Sequence, residues 1–171
     1  ALNRLEEARE KQERALRENP ELVNVRNELA LVDLLQDRLE EAETQLQAAR
    51  EISPHYPPTW RHLGLLHWKR GELEKAQTHL ERGLELEPGD WLARYHLAAT
   101  LFQMGDKEAA LEEGKRCLEL NPACLQVGDL LVRILLEKKD RPGALEIYAG
   151  VRPHAGNLRR EDFPFLAEME K

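Results

Sequence analysis

Reactive side chains are scarce in this sequence. It has two cysteines, Cys117 and Cys124, too few for a disulfide framework and without the second pair that a zinc site needs. Its one serine, Ser53, lies beside the repeat-ending Pro54. There is no Gly-x-Gly-x-x-Gly and no Gly-Lys-Ser to cradle a phosphate. Glutamates are plentiful, but in stretches such as Leu84-Glu85-Leu86-Glu87 they fall on solvent faces and mark no acid–base pair. The chain is therefore expected to be no enzyme and to need no cofactor.

Long apolar runs are also missing. No stretch reaches the roughly 20 residues of a membrane span, and the opening ALNRLEEAREKQERAL lacks the apolar centre of a signal peptide. A soluble protein is expected, cytoplasmic, or periplasmic if a signal has been removed before residue 1. Aromatic residues are only 5% of the chain against 33% charged, a balance that suits solvated helices better than strands. The formal charge of −7 repels phosphate backbones and anionic lipid, which argues against nucleic acid or direct membrane insertion.

What the chain does have is a period. Prolines stand at Pro20, Pro54, Pro88 and Pro122, alanines at Ala42, Ala76, Ala110 and Ala144, and leucines at Leu29, Leu63, Leu97 and Leu131. Each series steps by 34 residues, the mark of a repeat array. Residues 57–88 read as two helices joined at Lys69-Arg70-Gly71-Glu72, where Gly71 can close a helix in the left-handed conformation. Gly105-Asp106 repeats that junction one period later, so each unit is a helical hairpin.

In the repeat 57–90, Trp60, Leu63, Gly64, His67, Ala76, Leu80, Gly83 and Pro88 fall on the spacing W-x2-L-G-x2-Y, then A-x3-F-x2-A, then P. The sequence thus resembles the tetratricopeptide-repeat (TPR) family. The resemblance implies an all-α fold, a right-handed superhelical solenoid of antiparallel helix-turn-helix hairpins. The expected layout is one solenoid domain. Residues 1–22 supply the second helix of a partial repeat, 23–56, 57–90 and 91–124 are repeats, 125–158 is a divergent repeat, and 159–171 is a capping segment beginning at Asp162-Phe163-Pro164. Asp33 in the tyrosine place and Gly114 in the phenylalanine place depart from the pattern, and Gly114 is expected to leave a thin spot in the packing. Lys139 replaces the turn glycine of the divergent repeat.

In the family the inner, concave face is lined by one stripe of each first helix. Carried over, that stripe and its flanks give a candidate ligand-binding set of Asn27, Arg61, His62, Leu65, Trp68, Lys69, Tyr95, His96, Phe102 and Arg133. Aromatic residues there are not needed to stack repeats, so they point to a binding surface. The basic flanks favour a protein or peptide partner with apolar anchors and some acidic residues. The alternative is that Trp68 and Phe102 pack against the next repeat or the terminal segment. The family's two-carboxylate clamp for chaperone C-termini is not expected, because Asn27, Leu31, His62, Leu92 and His96 stand in its places. His62 and His96, one period and roughly 10 Å apart, cannot share a metal without backbone movement, so no metal site is expected. The function implied is a non-catalytic scaffold or adaptor. The alternatives are an assembly element that self-associates through its ends (Leu2 and Leu5 at one, Phe163, Phe165 and Leu166 at the other), or the regulatory or targeting arm of a larger protein.

Overall fold

The computed structural model describes residues 2–156 and 163–169, without the side chains of 2–4, 167 and 168. Helices alone make up its regular structure: α1 (Leu2–Glu18), α2 (Val23–Leu35), α3 (Leu39–Ile52), α4 (Pro57–Lys69), α5 (Leu73–Leu86), α6 (Trp91–Met104), α7 (Lys107–Leu120), α8 (Leu125–Glu137), α9 (Arg141–Val151) and α10 (Pro164–Glu168), with a 3-10 turn at Arg152–His154. First helices start at residues 23, 57, 91 and 125, and second helices at 39, 73, 107 and 141. Both series keep the 34-residue step of the sequence, which bears out the all-α hairpin reading.

The same physics closes every hairpin. Asp37, Gly71, Gly105 and Lys139 take φ values of 57, 76, 90 and 61°, the left-handed conformation that reverses the chain after a helix. In each turn the next N–H reaches back to a carbonyl of the last helical turn: Arg38 to Asp33, Glu72 to His67, Asp106 to Leu101 and Asp140 to Leu135, at 2.8–3.0 Å. This is a Schellman closure, and it satisfies carbonyls that the helix end would leave open. Lys139 therefore keeps the turn in spite of its side chain. Where an aspartate follows, it also starts the next helix: Asp106 accepts from the Ala109 N–H and Asp140 from the Gly143 N–H, both at 3.0 Å.

The chain divides into two compact units, Ala1–Pro88 and Gly89–Lys171. In the first, Ala30, Leu34, Ala42, Leu46, Leu63 and Leu66 form the core, with Leu39, Trp60 and Leu65 packed on it. Gly64 is small for a reason, since a Cβ there would lie 2.5 Å from Leu80 Cγ. In the second, one cluster joins Ala98, Cys117, Cys124 and Val127. Another joins Val132, Leu135, Ala144, Val151, Leu166 and Met169. The thin spot expected at Gly114 is not there. Leu131, fully buried, fills the place, and its Cδ2 would stand 2.5 Å from a Cβ at residue 114.

Of the residues expected at the open ends, Leu5 is half-buried and the Leu2 side chain lies outside the described residues. Asp162, expected to begin the terminal helix, lies outside them as well. Leu166 is fully buried, and Phe163 and Phe165 pack on the Val132–Val151 cluster.

Candidate functional site

In the first unit, α2 and α4 carry the candidate residues at two depths. Asn27 and His62 lie within the packing, 2% and 5% exposed. The Asn27 amide donates to the Val23 carbonyl and the Thr59 hydroxyl at 2.9 Å, and its oxygen stands 3.3 Å from His62 Nδ1. A buried polar group is tolerated only with such partners, and these three side chains tie α2 to α4. Nearer the surface are Arg61, Leu65, Trp68 and Lys69, all half-buried. Leu65 rests on the core. The Trp68 indole N–H has no acceptor among the described residues. Lys69 Nζ meets Asp37 Oδ1 at 2.5 Å, which couples the end of α4 to the turn after α2. Leu35, 59% exposed, is the most open large apolar residue described. It holds the register of Lys69 one period earlier, so the same step that selected Lys69 marks it.

In the second unit, Tyr95 packs on the Ala98–Cys117–Cys124–Val127 cluster. Burial pushes its phenol above the usual range, so it stays neutral. His96 is tilted against Tyr95, ring centroids 5.0 Å apart. Phe102, Arg133 and Phe165 form a stack, the Arg133 guanidinium lying 4.6 Å from the Phe102 ring and 5.5 Å from the Phe165 ring. Arg133 is also held by Glu137 at 3.0 Å. Here the stripe is partly occupied by the chain itself. Asp129 of α8 accepts the N–H groups of Phe165 and Leu166, each at 2.9 Å, and so caps α10 from another helix. Burial holds the Asp129 carboxyl above its ordinary range, and those two N–H groups offset only part of that rise.

Both cysteines are buried and free, and the neighbouring Cys124 together with burial holds the Cys117 thiol neutral. Among the described residues no group of three or more His, Cys, Asp or Glu could hold a metal ion. No described helix is long and apolar enough to cross a membrane. The arrangement offers apolar, aromatic and cationic contact surface and no reacting pair among the described residues.

The tetratricopeptide-repeat family model matches residues 1–57 and 62–123. The chain belongs to the tetratricopeptide-repeat family. Solved TPR structures agree with it in fold. PilF of Pseudomonas aeruginosa superposes with a TM-score of 0.81 at 18% identity, covering 98% of this chain and 82% of its own. A thermophilic TPR protein of Thermus thermophilus gives 0.78 at 20%, covering 99% and 91%. YrrB, described as a TPR protein with an unusual peptide-binding site, gives 0.69 at 20%, covering 99% and 84%. At these identities the likeness is one of fold alone. No curated protein matches the chain.

Proposed function

We propose that this TPR chain is a non-catalytic scaffold whose first-helix stripes receive an extended or helical segment of a partner protein. The observation that carries the reading is Trp68. It is a large, half-buried ring on the first-helix stripe, with a buried indole N–H that no described residue satisfies. Large amphipathic rings are typical binding anchors. Arg61, Lys69 and Arg133 lie along the stripes, and Lys69 and Arg133 would exchange Asp37 and Glu137 for acidic residues around a partner's apolar anchors. That YrrB is described as peptide-binding is consistent with this use of the fold. Asn27 and His62 take a supporting part, since their mutual bonds fix α2 against α4 and thereby set the spacing of the surface residues.

The test is affinity capture from native lysate with wild type and with a Trp68→Ala, Tyr95→Ala double variant of equal helicity. Specific proteins retained by wild type are expected to be lost, with about 2–4 kcal/mol of affinity removed at Trp68. An unchanged set of captured proteins would make these rings structural and end the proposal.

A further inference from the structure

A furrow runs along the second-helix side of the second unit, between α7 and α9, with α8 as its floor. Two adjoining clefts of about 420 and 220 Å³ make it up. They share Leu118, Glu146 and Ile147, and Leu135 and Val151 complete the apolar base. The repeat shows what is distinctive about its base. Three periods earlier, the first unit has a cleft at the same register, but there Asp33 stands for Leu135 and Gln45 for Ile147. Arg9 bonds Asp33 at 2.9 Å and Arg26 bonds Gln45 at 2.7 Å, so polar side chains bridge that cleft.

The lip differs as well. The α9 edge carries Gly143 and Gly150, and a Cβ added at Gly150 would meet nothing within 4 Å. The matching residue of α5 is Arg82, which lies over the Trp60 ring at 5.9 Å, and that of α7 is Arg116. At this register α9 has no side chain and α3 has only Ala48. From Gly143 to Gly150 is about 10 Å of helix, room for two turns of a partner.

Charge selects the occupant. The exposed rim is formed by Glu119 and Glu146 with Lys115. Among the described residues neither glutamate enters an ion pair, unlike Glu112 and Glu113 on the same α7. We propose that this furrow is a second docking surface, one that takes a basic amphipathic helix of a partner protein, with leucine-like anchors one to two turns apart on the base and Lys or Arg against Glu119 and Glu146. It is independent of the inner stripes and has the opposite charge preference.

The experiment uses two fluorescein-labelled probes of equal length, LKKLLKLLKKLLKL and LEELLELLEELLEL, titrated by fluorescence anisotropy at near-physiological salt. The basic probe should saturate the wild-type chain and bind at least tenfold more tightly than the acidic one. Gly150→Arg, which places a long side chain at an unobstructed position of the lining, should weaken it at least tenfold. Ala149→Arg, exposed and with the same added charge, should change it less than threefold, as should Trp68→Ala. Equal binding to Gly150→Arg and Ala149→Arg would mean adsorption to an acidic protein and overturn the proposal. Loss with Trp68→Ala alone would move the probe to the inner stripe and overturn it too. If the wild-type chain instead self-associates and Gly150→Arg abolishes that, the occupant is a second copy and the partner-helix assignment fails.

Discussion

Gly83 and Gly114 both interrupt second helices, yet their surroundings give opposite signs to the same substitution. A Cβ at Gly83 would sit 3.5 Å from Arg61 N and Trp60 Cβ, ordinary contact. Gly83→Ala should therefore stabilise by about 0.5–1 kcal/mol through helix propensity. At Gly114 the Cβ would fall on Leu131, which is buried on all sides. Gly114→Ala should destabilise by about 1–3 kcal/mol in spite of the better helix former. Urea titration of the two variants checks the pair. His79 gives a second prediction at this scale. It is stacked on His67 at 5.0 Å and tilted against Trp60 at 5.7 Å. Burial, then the neighbouring His67, Arg50 and Lys75, push its imidazole from 6.5 down to about 4. Between those values the unfolded chain binds the proton and the folded chain does not, so stability rises with pH across that window and falls as pH drops through it. The urea midpoint should decline as the pH is lowered from about 7 to about 4.5. His79→Gln should remove on the order of 1–2 kcal/mol of that decline, allowing for solvent screening of a partly exposed ring.

The elements were legible in the sequence because one local rule sets each boundary. Proline at 54 and glycine at 71 mark where helices stop, and the 34-residue step transfers those marks to positions where the residue has changed. Lys139 is the informative case, because the hydrogen bonds of the turn hold it at φ 61° although its Cβ disfavours that conformation by about 1–2 kcal/mol. Lys139→Gly should raise stability by about 1 kcal/mol, read as a higher thermal midpoint in circular dichroism. Depth was harder to read than position. Asn27 and His62 belong to first helices as expected, but a stripe drawn on one helix does not say that the two side chains satisfy each other across 35 residues and become buried. The same holds for Arg9 and Asp33, 24 residues apart. Asp33 takes the family's tyrosine place because Arg9, from α1, supplies a partner for it. The capping of α10 by Asp129 spans 36 residues and has no local signal at all.

For the whole molecule, fold followed from the period, while the identity of a partner depends on surface detail that the repeat leaves free. The self-assembly alternative can be weighed on the ends. Leu166 is fully buried and both phenylalanines of the terminal segment rest on the chain's own cluster, so these described residues are already packed against the chain itself. Sedimentation equilibrium at several concentrations should give a concentration-independent monomer mass, and a rising mass would restore assembly as the leading function. The four hairpin turns carry a further consequence, in the order in which the molecule breathes. Two are closed by glycine at no steric cost, one by aspartate held by Lys69, and one by a lysine in an unfavourable conformation. Opening a hairpin releases whatever strain its turn stores. Amide protons of α9 should therefore exchange with deuterium before those of α5, so the chain frays from its lysine turn long before it unfolds.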